Sequence, residues 1–237
     1  MNKTIKQLFD RKSVRVFTEQ EISASDKNMI LQAAVQAPTA GNQQLYTILD
    51  ITDQDLKDRL AVTCDNQPFI ATAKMILIFC ADCKKWYDAY LAGDCSPRKP
   101  DLGDFMIAFS DANIAAQNAV VAAHSLGIGS CYIGDIMEQY EEHAKLLSLP
   151  AYVFPAAMLV FGYPTEQQLQ REKPERIDMK YIVHENRYQE QNPAEMLSGK
   201  SPDFTSWIRK FCARKYNSDF AREMSRSVRV FVETLGE

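Results

Sequence analysis

Residues 104–126 read DFMIAFSDANIAAQNAVVAAHSL, and the fold turns on how this stretch is understood. After Asp104, Asp111 is the one side chain certain to be ionised. Most of the other polar residues recur on two adjacent seven-residue series: Ser110, Gln117, His124 and Asp111, Asn118, Ser125. The remainder is Ala, Val, Ile, Phe and Met on nearly every side. This predicts one long helix, apolar around most of its girth, and such a helix is buried by its surroundings. In a chain of 237 residues it belongs at the centre, and its girth suits sharing with a second subunit. The Gln117 stripe leaves two readings open: contact with a ligand, or satisfaction of backbone groups across an interface.

Around that helix the chain alternates strand and helix signals. Met75–Cys80 is a continuous apolar run without alternation, the signature of a strand covered on both faces in mid-sheet. Phe154–Gly162 repeats it, and Leu45–Ile51 predicts a further strand. Thr4–Phe9 is a short helix. Ser23 or Ser25 can cap a helix carrying Met29, Ile30, Ala33, Ala34 and Ala37, which Pro38 stops. Helices are also expected over Asp53–Val62, with Thr52 as cap, over Trp86–Leu91 and over Glu138–Leu149, ended by Pro150. Gly127-Ile128-Gly129-Ser130-Cys131-Tyr132-Ile133-Gly134 follows a helix rather than a strand and misplaces the third glycine of a dinucleotide fingerprint. It reads as a glycine helix stop leading into a short strand.

The totals narrow the partners. With 46% hydrophobic residues the chain can bury one large core. A net charge of −4 disfavours nucleic acid or an anionic membrane as partner. Residues 1–15 contain no apolar run of the secretory type, and no stretch is long and apolar enough to span a bilayer. Cys64, Cys80, Cys83, Cys95, Cys131 and Cys212 are scattered, as expected of reduced thiols in a cytoplasmic protein. Cys80 and Cys83 have C-x-x-C spacing, but no second pair or nearby histidine joins them, so no metal site is read there.

Against this acidic background Arg11-Lys12-Ser13-Val14-Arg15 places three cations and a hydroxyl within five residues. Guanidinium groups hold phosphate oxygens through paired, charge-assisted hydrogen bonds, so a small anion is one reading. A solvated turn after a short helix is the other. Pro38–Gln44 and Cys64–Phe69 are polar loops, each either a plain connection or a set of amides around a flat ligand. Gln170–Arg176 is a charged loop that could add cations. Residues 181–202 are loop-like, and two helices follow: Phe204–Tyr216, and one capped by Ser218 with Met224, Val228, Phe231, Val232 and Leu235 on one face. The pentapeptide Ser13–Phe17 recurs as Ser227–Phe231; one short match makes no repeat architecture.

Taken in order, Arg11–Arg15, Ala37–Gln43, Asn66–Phe69, the alanine-rich helix ending Leu126–Gly129, Tyr132–Gly134, and Phe161–Pro164 with Lys173 and Arg176 beyond resemble the FMN-dependent nitroreductase family. The likeness covers roughly residues 1 to 190. It implies an α+β fold: a mixed, largely antiparallel sheet flanked by helices, in an intertwined homodimer with the long helix at its centre. It further implies an FMN-binding domain over 1–190 and a helical extension over 191–237. Arg11, Lys12, Ser13 and Arg15 would hold the FMN phosphate and ribityl chain, with Lys173 and Arg176 completing the phosphate cage. Pro38, Thr39, Ala40 and Asn42 would approach the flavin from the other chain. Gln67 would bond the pyrimidine edge, and Tyr132, Ile133 and Gly134 would lie near the ring. Two departures stand out: the family commonly has Ser where this chain has Thr39 or Ala40, and Glu175 intervenes before Arg176.

The implied activity is that of an NAD(P)H-dependent FMN oxidoreductase. NADH or NADPH would be the reductant, and nitroaromatics, quinones or free flavin the small-molecule acceptors, served in ping-pong fashion. No side chain is assigned as catalytic, because the flavin performs the redox step. The alternative is a flavin-binding or regulatory protein with little turnover, which needs the same cations.

Overall fold

The computed structural model describes residues 1–236. They group into two compact units: Met1–Arg171 together with the segment from Met224 onward, and Glu172–Glu223.

Within the first unit four strands form one sheet: β1 (Tyr46–Ile51), β2 (Met75–Asp82), β3 (Gly129–Ile133) and β4 (Val153–Gly162). Their spatial order is β1-β2-β4-β3, and each neighbouring pair is antiparallel. An isolated parallel bridge, Ser13 to Ser130, adds the N-terminal segment beside β3. The two central strands are buried along their whole length. Their residues alternate between two cores, which is why the sequence shows no polar alternation. The register shifts between Phe79 and Cys80, opposite Pro155; proline has no N–H for the ladder and sits at such irregularities.

The helices are α1 (Lys3–Asp10), α2 (Ala24–Val35), α3 (Gln54–Thr63), α4 (Pro68–Ala71), α5 (Lys84–Ala92), α6 (Leu102–Ser125), α7 (Tyr140–Leu146), α8 (Glu166–Gln170), α9 (Pro193–Met196), α10 (Phe204–Lys215) and α11 (Asp219–Glu233). One sheet face packs residues of α2, α6 and the end of α11; the other packs α3 and α4. Ser23 caps α2 through the Asp26 N–H. Asp53, not Thr52, caps α3, because its carboxylate reaches the Leu56 N–H at 2.8 Å. The helix expected over Glu138–Leu149 is shorter: a 3-10 turn at Gly134–Met137 precedes α7, and Gln139 enters it with φ +46°.

The long helix is the expected one, fixed at its start by a capping box between Asp101 and Asp104. Phe105 and the small residues Ala108, Ala112, Ala115, Ala116, Ala119 and Ala123 belong to the core shared with the sheet, and the alanines let helix and strands approach closely. The opposite side exposes Met106 (57%), Ile107 (45%) and Ile114 (41%). One chain therefore covers only one side of a helix whose sequence is apolar on both.

The division expected between residues 190 and 191 lies inside the second unit, and the last helix returns to the first. The cause is aromatic packing. Phe231 is fully buried, with its ring 4.9 Å from those of both Phe105 and Phe154. The second unit holds α9 and α10, with Trp207 stacked on Phe211 at 5.2 Å.

Candidate functional site

Two glycines decide where the Arg11–Arg15 cations stand. At Gly129 a Cβ would lie 2.7 Å from Val14 Cγ2, and at Gly162 one would lie 2.6 Å from Phe17 Cγ. Only glycine permits this approach, so Ser13–Phe17 runs extended along the ends of β3 and β4. Val14 N donates to Ser130 O at 2.9 Å, and Thr18 N to Tyr163 O at 2.8 Å. Arg15 N adds a 3.3 Å bond to Oε1 of the buried Gln168.

Within this frame the cations do different things. Lys12 Nζ donates to the carbonyls of Leu169, at 2.7 Å, and Arg171, closing the end of α8. Arg171 reaches back to Ser13 O. Arg11 is the exception: its Nε and Nη2 are buried with no hydrogen-bond partner. A buried unpaired guanidinium is costly, and a native fold keeps one only where something pairs it. Arg11, Ser13 and Arg15 converge on Cys131 of β3. Burial pushes that thiol's pKa up, and Arg15, Ser13 and Arg11 pull it back. Burial pushes the Tyr132 phenol up to about 12, with Arg11 again opposing, and the hydroxyl donates to Gln117 Oε1 at 3.3 Å. The Gln117 stripe thus meets β3 of its own chain. Ile133 is buried, and Gly134 is exposed at the start of the following turn.

Gln67 precedes α4. Its backbone N–H donates to Ala61 O at 2.8 Å and its Nε2 to Cys64 O at 2.9 Å. Asp65 and Asn66 before it adopt φ of +62° and +51°, a region L-residues enter only under local constraint. The loop after α2 is stapled from the long helix. Asp111, 3% exposed, accepts the N–H of Ala40 at 3.1 Å and of Leu45 at 3.3 Å. Thr39 Oγ1 accepts the Gln44 N–H, and Gln44 Nε2 donates to Asn42 Oδ1 at 2.7 Å. Pro38 and Asn42 are exposed.

The structure thus gathers Arg11, Ser13, Arg15 and Tyr132 about β3, with Ile133 and Gly134 following on the same strand and turn. Lys173 and Arg176 belong to the second unit, half-buried and exposed respectively. Reading the residues missed the supports: Asp111 under the Thr39–Asn42 loop and Gln168 behind Arg15. A lone carboxylate in an apolar helix was the available signal for Asp111. Nothing local marks Gln168. The cavity that Arg11 lines is about 120 Å³, against roughly 300–1,000 Å³ for small-molecule pockets. One chain does not enclose a cofactor-sized space at that point.

The model of the Nitroreductase family matches residues 8–163. The chain is 33% identical over 192 residues to the FMN reductase (NADPH) of Bacillus subtilis (strain 168), covering 79% of this chain and 75% of that protein. The solved structure of NfrA2 from B. megaterium superposes with a TM-score of 0.86 at 28% identity, covering 100% of this chain and 98% of that one. The NADPH:FMN oxidoreductase from Vibrio harveyi, solved in complex with NAD+, superposes with a TM-score of 0.83 at 26% identity, covering 98% of each chain.

Proposed function

This chain belongs to the nitroreductase family, and from that membership we propose that it works as an NAD(P)H-dependent FMN oxidoreductase with its flavin at a seam between two copies. The observation that carries the flavin assignment is Arg11, whose buried Nε and Nη2 have no partner in the chain. An FMN phosphate or ribityl oxygen supplies the acceptor they lack. Each charged hydrogen bond of this kind contributes about 1.5–3 kcal/mol. The residues fit the group: Arg11, Ser13 and Arg15 for the phosphate and ribityl chain, Gln67 for the pyrimidine edge, and Tyr132, Ile133 and Gly134 beside the ring. Lys12, bonded to the α8 carbonyls, would act by its charge and by fixing Ser13. Lys173 and Arg176 complete the proposed set of phosphate cations.

The two-chain reading is supported by the small cavity at Arg11 and by the exposed apolar side of α6. The Pro38–Asn42 loop, with its polar groups turned inward onto Asp111, Thr39 and Gln44, would present backbone and the Pro38 ring to a flavin held by the other copy. FMN held there would supply two-electron redox chemistry between NAD(P)H and, in alternation, a nitroaromatic, quinone or flavin acceptor. The protein's part is to hold and orient: cations at one end, amides at the other.

The test is direct. Purified protein should be yellow, and anaerobic NAD(P)H should bleach it at once, with colour restored by a quinone or nitroaromatic. Arg11→Ala combined with Arg15→Ala should lose most of the flavin, and Lys173→Ala and Arg176→Ala should each weaken it. A colourless protein that takes up no added FMN would overturn the proposal.

A further inference from the structure

One buried side chain outside the proposed flavin contacts joins the two segments that carry them. His143, in α7, is completely buried. Its Nδ1 lies 2.9 Å from Ile136 O, in the turn that opens at Gly134. Its Nε2 lies 2.8 Å from Thr63 Oγ1, at the end of α3, four residues before Gln67. A carbonyl only accepts, so Nδ1 carries the proton and Nε2 is the acceptor. The Thr63 hydroxyl is its near donor, with Arg59 O a second, longer acceptor for the same proton at 3.1 Å; the Cys64 thiol stands farther off, at 4.0 Å. Burial favours this neutral form, pushing the imidazole pKa down against its bonds to backbone groups and the nearby Glu142 and Asp135. A second strap runs alongside, from Gln139 Nε2 to Thr63 O at 2.8 Å.

We propose that His143 is a positioning residue for the flavin: its two ring nitrogens set the separation between the Gln67 amide and the Gly134 turn. The proposal rests on the flavin reading above and adds what fixes the ring's two neighbours against each other. The need for such a tie is visible in the backbone. Asp65 and Asn66 hold consecutive left-handed conformations, which persist only where the surroundings over-determine them. Gln67 bonds Ala61 through its N–H and Cys64 through its side-chain amide, both in the α3 segment, and its carbonyl accepts the Ile70 N–H of α4 at 3.0 Å, so it is tied to the end of α3 and carries α4 with it. The imidazole, with the Gln139 strap beside it, refers that end to the opposite wall. Being rigid and wholly buried, it transmits position with little slack.

Two measurements on the full-length protein test this. The first uses apoprotein. In Thr63→Val, which removes the hydroxyl and keeps the shape, amide exchange should accelerate at Gln67 and at Glu138 together, by about tenfold or more, while β2 and β4 are unchanged. The second uses FMN-loaded protein. Thr63→Val should keep its flavin, with bound-flavin spectrum and midpoint potential displaced and anaerobic bleaching slowed by about tenfold or more. A Thr63→Val protein with wild-type exchange at both segments, or with wild-type spectrum, potential and bleaching rate, overturns the proposal alone. Wild-type protein that binds no FMN overturns the flavin reading and this proposal with it.

Discussion

At the scale of single residues, the contrast between Arg11 and Lys12 carries most of the functional argument. They are neighbours in sequence with like charge, yet Lys12 is consumed by two carbonyls and Arg11 keeps two buried nitrogens unpaired. Buried guanidinium nitrogens without an acceptor weaken the empty protein, and an acceptor on the ligand strengthens the loaded one. Arg11→Met should therefore act with opposite signs. The apoprotein should melt no lower than wild type, while FMN affinity falls by about tenfold to a hundredfold, the equivalent of one charged hydrogen bond. Thermal melts of both forms and a fluorescence titration decide it. Equal melting losses with and without FMN would show that Arg11 is a packing residue.

At the scale of elements, the fold places its N-terminal segment by leaving side chains out. Gly129 and Gly162 clear the floor on which Val14 and Phe17 lie. Gly162→Ala should force Phe17 upward and cost about 1–3 kcal/mol, the usual range for overpacking. Because Arg15 lies on the same segment, FMN affinity should drop alongside the melting temperature. The start of α6 gives a prediction of another kind. Asp104 closes the capping box and accepts Arg98 Nη1 at 2.5 Å and Nη2 at 3.0 Å. That hydrogen bond to Arg98 foremost holds its carboxyl below the ordinary carboxylate range. A lowered carboxylate pKa stabilises the fold fully above the ordinary value, and the contribution is lost as pH falls through the lowered one. Melting temperature should therefore decline on that acid limb, and Asp104→Asn should flatten the decline.

At the scale of the whole molecule, the open question is what covers the outer side of α6. Met106, Ile107 and Ile114 are between 41% and 57% exposed and recur on one side of the helix. A second copy is the proposed cover. Ile107→Glu with Ile114→Glu should then give monomers in light-scattering chromatography and release FMN in the same preparation, since each flavin would need the partner's Pro38–Asn42 loop. A monomer that keeps its flavin would separate the site from the dimer. Among the described residues no helix is long and apolar enough to cross a membrane.

The sequence by itself determined the elements whose pattern is long or uninterrupted: the central helix, the two fully buried strands, and the glycine stop at Gly127, where φ is +77°. Such stretches carry their burial in their composition. It also held the cation cluster and the polar loops, as ingredients. It could not show which cation stays free, which buried groups support the loops, or that the last helix returns to the first unit's core, because those facts depend on partners distant in the chain. The pentapeptide Ser-Val-Arg-Val-Phe shows the limit. At 13–17 it is extended, seated against Gly129 and Gly162; at 227–231 it is helical, with Ser227 and Phe231 on the buried side. Five residues have too little intrinsic preference to choose, and the surface each copy meets makes the choice.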